Sequence, residues 1–179
     1  MALDGFRAAV YHGNLTEAIS NVQGRTLESF NSHTLSIAVT GESGSGKSSL
    51  INAMRGLHAG DEGAAGTGML NIMAHPIAYP DPVLPGVTLW DLPWVGMSYF
   101  PLNSEQLNLN PFEFFIIVGF QRFRSEHARL IHEIRRMGKR FYFVRSKADM
   151  DLDASRRQRP SSYDEERILE QIRGTAGVA

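Results

Sequence analysis

A glycine-rich motif constrains the fold of this chain more than any other feature of the sequence. Residues 41–48 read Gly-Glu-Ser-Gly-Ser-Gly-Lys-Ser and match the phosphate-binding pattern G-x-x-x-x-G-K-[ST] at every fixed position. The segment before the motif, 34–40, is apolar and β-branched and predicts a buried strand. After it, apolar residues recur at helical spacing over 47–55 until Gly56. The sequence therefore predicts strand, glycine loop and helix, the context in which this pattern binds phosphate.

Each residue type in the motif has a predicted part in nucleotide binding. Glycines let successive backbone N–H groups face the β-phosphate at the positive end of the helix. Lys47 is predicted to reach the β- and γ-phosphates, and the Ser48 hydroxyl to complete the shell of a bound Mg²⁺. The predicted nucleotide-binding residues of the loop are Gly41, Glu42, Ser43, Gly44, Ser45, Gly46, Lys47, Ser48 and Ser49.

Two further motifs follow later predicted strands. Asp91 ends the strand predicted over 87–91, where a P-loop protein needs an acid that holds Mg²⁺ through water. Ser146-Lys147-Ala148-Asp149 follows a later strand, where GTPases place [NT]-K-x-D. The Asp149 carboxylate can accept two hydrogen bonds from guanine, while the stem of Lys147 packs on the purine. This pair favours guanine over adenine, and a small-molecule kinase, the alternative for the loop alone, does not carry it.

Strands alternate with helices along most of the chain. Strands are predicted over 34–40, 87–91, 112–118 and 140–146, an extended stretch over 67–75, and helices over 47–55, 125–137 and 163–173. Such alternation predicts an α/β fold, with a mostly parallel sheet and helices on both faces. We expect residues 1–33 to form a separate segment of short helices and 34–179 to form the nucleotide-binding domain.

Composition excludes several other functions. The 179 residues suffice for one ordinary domain, and the absence of cysteine excludes disulfides, thiolate metal sites and thiol catalysis. The longest unbroken apolar stretch, 114–120, is too short to span a bilayer, and the N-terminus has no signal-peptide or lipidation motif, so we expect a cytoplasmic protein.

Segment 122–147 carries nine basic and two acidic side chains. It could contact nucleic acid or anionic lipid, but we favour a solvated helix face and expect no nucleic-acid partner.

Taken together, these motifs resemble the interferon-inducible, immunity-related GTPase family, in the group that keeps the loop lysine. The resemblance is carried by the segments 39–56, 88–93 (Thr-Leu-Trp-Asp-Leu-Pro), 114–117 and 139–147. It implies a Ras-like P-loop domain that binds GTP or GDP with Mg²⁺. It also implies slow hydrolysis stimulated by self-association or association with related GTPases, and a part in cell-autonomous immunity or autophagy at intracellular membranes. Thr67 matches the switch threonine of the family, which gives it a catalytic role beside Lys47 and Ser48 and a metal-binding role beside Ser48 and Asp91.

Three features depart from the family pattern. Trp94 stands where the family's D-L-P-G has glycine, and it adds a bulky side chain at the position that senses the γ-phosphate. Asn71 and Val95 stand where an acid and a water-orienting residue would be expected, and neither can act as a strong base. The chain ends at Ala179, before the last strand and the C-terminal helical domain of full-length relatives, as in a short or truncated form. Two functions therefore remain: a slow GTPase, or a non-hydrolysing nucleotide-binding adaptor whose switch is disabled by Trp94.

Overall fold

Five strands and four α-helices form the described part of the chain. The computed structural model describes residues 34–67, 75–94, 108–120 and 123–176. The elements in chain order are β1 (Leu35–Gly41), α1 (Lys47–Met54), β2 (Ile77–Pro80), β3 (Val87–Asp91), β4 (Phe114–Gly119), α2 (Ser125–Arg136), β5 (Arg140–Arg145), α3 (Ala148–Gln158) and α4 (Glu165–Ala176), with a short 3₁₀ turn at Pro160–Ser162.

The strands form one sheet in the order β2-β3-β1-β4-β5. β1 pairs in parallel with both β3 and β4, and β4 pairs in parallel with β5. Only β2, within the described residues, runs antiparallel to its neighbour β3. The predicted mostly parallel sheet is thus confirmed. Because parallel neighbours end at the same edge, the carboxyl ends of β1, β3, β4 and β5 lie together.

Both faces of the sheet are covered by a hydrophobic core. Along β4, Phe114, Ile116 and Val118 pack in one core, and the alternate residues Phe115 and Ile117 pack in the other. Both sets are buried, which explains why this strand is apolar throughout.

Helices supply the other side of each core. The first core includes Ile51 of α1, and the second includes Leu130, Ile131 and Ile134 of α2. The predicted α/β fold with helices on both faces is therefore confirmed.

The structure corrects the predicted elements in two places. β2 lies at 77–80, in a region where no strand was predicted, because it is a short exposed edge strand ending in Pro80 and has no alternating pattern. Helix α3 was also missed, since it has no buried residue and therefore no apolar stripe. Other boundaries differ by one to three residues. The predicted N-terminal segment 1–33, most of the extended stretch 67–75, and Asn71 and Val95 lie outside the described residues.

Candidate nucleotide-binding site

The glycine loop begins at the carboxyl end of β1, the central strand of the sheet. A Cβ atom on Gly41 would lie 2.0 Å from the carbonyl oxygen of Val118 in β4, so no side chain fits at this position. Gly44 and Gly46 have φ angles of 71° and 89°, in the left-handed region that favours glycine. Gly46 is the N-cap residue of α1, so the loop ends at the N-terminus of this helix. Backbone N–H groups at a helix N-terminus are suited to bind an anion such as phosphate.

The ammonium group of Lys47 lies across this loop. Its Nζ donates hydrogen bonds to the carbonyl oxygens of Gly41 at 2.8 Å and Glu42 at 3.1 Å. Burial lowers the pKa of Lys47, while the negative charges of Asp91 and Glu42 oppose that shift. The lysine is therefore already oriented by the first turn of the loop, close to where the motif predicts phosphate.

Ser48 and Asp91 meet at the carboxyl ends of β1 and β3. The Ser48 hydroxyl donates to Oδ2 of Asp91 at 3.2 Å, and Asp91 is only 1% exposed. Burial raises the pKa of Asp91 to about 6, with Lys47 and the Ser48 hydrogen bond acting in the opposite direction. The other carboxylate oxygen, Oδ1, is buried and has no hydrogen-bond partner among the described residues. A hydroxyl beside a carboxylate with an unused oxygen suits Mg²⁺, which prefers oxygen ligands.

The segment leading to Thr67 is anchored on α1 by two polar side chains. Asn52 is buried and exchanges two hydrogen bonds with the backbone of Ala65, at 2.9 and 2.6 Å. Arg55 donates to the carbonyl oxygens of Gly63 at 2.7 Å and Pro80 at 3.0 Å. Thr67 itself is exposed, and its role at Mg²⁺ stays a prediction. Neither anchor was predicted; for Asn52, the sequence signal was a polar residue within the apolar spacing of the helix.

The predicted base-reading residues lie at the carboxyl end of β5. Lys147 has a φ of 55°, a conformation uncommon for residues other than glycine, and is the N-cap residue directly before helix α3. Its ammonium group lies 4.7 Å from the centre of the Phe120 ring, a cation–π contact. Asp149 is exposed in the first turn of α3. Phe120 was not among the predicted residues, and its position directly after the apolar strand is the only sequence signal for it.

The geometry thus brings the phosphate loop, Asp91 and the pair Lys147 and Asp149 to one edge of the sheet. The sequence model of the interferon-inducible GTPase family (IIGP) matches residues 2–176. The chain belongs to the interferon-inducible GTPase family. The family resemblance seen in the sequence is thereby confirmed.

Individual relatives agree with this assignment. The chain is 43% identical over 173 residues to interferon-inducible GTPase 5 of Rattus norvegicus, covering 96% of this chain and 37% of the relative. It is 40% identical over 166 residues to T-cell-specific guanine nucleotide triphosphate-binding protein 2 of Mus musculus, covering 92% of the chain and 40% of the relative. Immunity-related GTPase family M protein 3 of Mus musculus is 37% identical over 167 residues, with coverage of 92% and 38%. The chain therefore spans well under half the length of the curated relatives that it matches.

Trp94, where the family glycine was expected, packs against helix α2 in this interferon-inducible GTPase family member. Its ring centre lies 5.0 Å from that of His127, which is fully buried. The Trp94 residue is half-buried and directly follows the buried Leu92-Pro93 pair. His127 was not among the predicted site residues, because a single histidine on a helix carries no motif.

Proposed function

We propose that the chain binds GTP and GDP together with Mg²⁺ and hydrolyses GTP slowly. The observation that carries the proposal is the meeting of Lys47, Ser48 and Asp91 at the carboxyl ends of β1 and β3. Ligands of open α/β sheets bind at this end of the strands. The base-reading pair Lys147 and Asp149 follows β5 at the same edge.

The reaction proposed is in-line attack of water on the γ-phosphorus. Lys47 and the loop N–H groups stabilise negative charge on the phosphates. Ser48, Thr67 and, through water, Asp91 would hold Mg²⁺, which supplies further charge neutralisation when bound. Because neither Asn71 nor Val95 can orient the attacking water as a base would, we expect slow turnover unless a second molecule contributes that group.

In the cell, we propose an interferon-inducible switch in cell-autonomous immunity or autophagy. The names of the relatives, which include interferon-inducible and immunity-related GTPases, support this role. Self-association or association with related GTPases and peripheral contact with intracellular membranes belong to the same proposal, for a cytoplasmic protein. Among the helices of the described residues, none has the length and apolar character needed to cross a bilayer.

Calorimetric titration with nucleotides tests the binding proposal. We expect heat with GDP or GTP in the presence of Mg²⁺, much less with ADP or ATP, and loss of binding in Lys47→Ala. Asp149→Asn gives a matched test of base recognition, because an amide N–H can donate to the 2-carbonyl of xanthine, whereas the carboxylate accepts from the 2-amino group of guanine. This variant should therefore lose GDP and gain xanthosine diphosphate. Unchanged affinity in Lys47→Ala would refute the site.

The alternative function is a non-hydrolysing nucleotide-binding adaptor, and the contact between Trp94 and His127 favours it. A ring packed at this position would hinder the segment after β3 from approaching a γ-phosphate. Single-turnover hydrolysis of the wild type beside Trp94→Gly distinguishes the two functions. Cleavage by both at equal rates removes the idea of a disabled switch, whereas a wild type that binds GTP and never cleaves it establishes the adaptor.

A further inference from the structure

A buried charged side chain of the phosphate loop faces a buried histidine of helix α2. Oε1 of Glu42 lies 3.7 Å from Nε2 of His127 and 3.6 Å from Nε of Arg124. Glu42 is 8% exposed and His127 is 0% exposed. Neither Oε1 nor Nε2 has a hydrogen-bond partner in the described structure. Because 3.7 Å exceeds hydrogen-bond distance, the attraction between Glu42 and His127 is electrostatic.

The orientation of the His127 ring is fixed by the backbone. Its Nδ1 accepts a hydrogen bond from the N–H of Arg124 at 3.0 Å, as part of the cap of α2. A neutral imidazole that accepts at Nδ1 carries its proton on Nε2. Burial lowers the pKa of His127, with Glu42 opposing the shift, which agrees with a neutral ring. The Nε2–H group therefore points to the carboxylate of Glu42.

Aromatic rings enclose this contact. Trp94 and Phe123 lie 5.0 and 5.6 Å from the His127 ring, measured between ring centres, and Phe143 lies edge-on at 5.3 Å. A Cβ atom on Gly119 would lie 2.8 Å from the Phe143 ring and 3.5 Å from Nε2 of His127. Glycine at the end of β4 therefore leaves space for the rings of Phe143 and His127. Exclusion of water strengthens the attraction between the proton on His127 and the carboxylate.

Glu42 transmits this restraint to the loop through its backbone. Its carbonyl oxygen accepts from Nζ of Lys47 and from the N–H of Ser45 at 3.0 Å. The side chain of Glu42 is thus held by α2 while its main chain holds the first turn of the loop and the lysine. We propose that His127 is a positioning residue that fixes the phosphate loop through Glu42, and that Trp94 completes this contact by covering the imidazole. The expected effect on nucleotide binding rests on the proposed function, whereas the expected effect on the loop itself does not.

Hydrogen exchange in the ligand-free chain tests the restraint without nucleotide. His127→Asn retains an oxygen that can accept from the Arg124 N–H but has no donor that reaches Glu42. We expect faster exchange of the peptide covering residues 41–48 in this variant. His132→Asn is the matched control, because it makes the same substitution at an exposed position of the same helix. Glu42→Gln, which keeps the side-chain volume, should also speed exchange and serves if His127→Asn does not fold. Equal loop exchange in wild type, His127→Asn and Glu42→Gln overturns the proposal.

Two further measurements separate the parts of the proposal. In a Trp90→Phe background, acrylamide quenching reports Trp94 alone, and His127→Asn should remove its protection; an unchanged quenching constant refutes the cover. For GDP, we expect His127→Asn and Glu42→Gln each to weaken binding about five-fold. The double variant should bind GDP no more weakly than either single variant, as for coupled residues. Additive losses, or no loss, refute the coupling. If wild type binds no guanine nucleotide while the loop exchange still responds, the proposed function fails and the positioning role stands.

Discussion

Neutralising Asp91 should stabilise the ligand-free chain at neutral pH and not at acidic pH. Asp91 is buried, and its pKa is raised from 3.8 to about 6. The folded state therefore binds a proton on the Asp91 carboxyl more tightly than the unfolded state does. The unfolding free energy consequently decreases as the pH rises from about 3.8 through about 6. A shift of about 2 units corresponds to about 3 kcal/mol in total, of which about 2 kcal/mol falls between about pH 4.5 and 7.5.

Urea unfolding of wild type and Asp91→Asn, without nucleotide or Mg²⁺, measures this effect. The amide does not titrate, so the variant should gain about 2 kcal/mol on the wild type between about pH 4.5 and 7.5. Its amide oxygen can still accept from Ser48, whose hydroxyl lies 3.2 Å away in the wild type, which keeps the local hydrogen bond. Asp149→Asn is the control, because it removes an exposed carboxylate and should give curves parallel to those of the wild type. If Asp91→Asn also gives parallel curves, burial does not raise the pKa of Asp91, and the reasoning is refuted.

Three further changes should each have a distinct effect. Gly41→Ala should destabilise the chain by about 3 kcal/mol or more, measured as a lower thermal midpoint, because the added methyl group meets a carbonyl oxygen of β4. Asn52→Ala should lower the unfolding free energy by about 2–3 kcal/mol in urea titrations, since it leaves the buried backbone of Ala65 unpaired; a loss within experimental error would show that the segment before Thr67 does not depend on this anchor. Phe120→Leu should weaken GDP binding about two- to five-fold in calorimetry by releasing the ammonium group of Lys147, whereas Phe120→Tyr should retain it.

Local patterns in the sequence predicted much of the fold because they reflect local physics. The strand, glycine loop and helix at 34–55, the strand ending at Asp91, and the amphipathic helix α2 all appear within a few residues of the prediction. The apolar strand β4, observed at Phe114–Gly119, was predicted over 112–118 for the same reason: burial on both faces demands continuous apolar residues. β2 and α3 were missed because neither buries an apolar face, so neither leaves a periodic signal.

Within the candidate site, the sequence motifs likewise predicted which residues take part, whereas the tertiary structure showed how they contact each other. Gly41, Lys47 and Asp91 were predicted because their types and spacing repeat a known solution to phosphate and magnesium binding. Their close approach, however, depends on the parallel pairing of β1 and β3, which the motif does not specify. The raised pKa of Asp91 likewise follows from burial, which sequence spacing does not encode.

By itself, the sequence predicted a phosphate-binding loop after β1, an acid at the end of β3, a base-reading pair after β5 and a mostly parallel sheet with helices on both faces. Only the tertiary structure decided that Glu42 faces His127 and that Trp94 packs on the same ring. The reason is physical. Motifs record requirements that act over a few neighbouring residues, whereas these contacts join a loop, a helix and the end of a strand that lie far apart in the chain and meet only when the sheet is assembled.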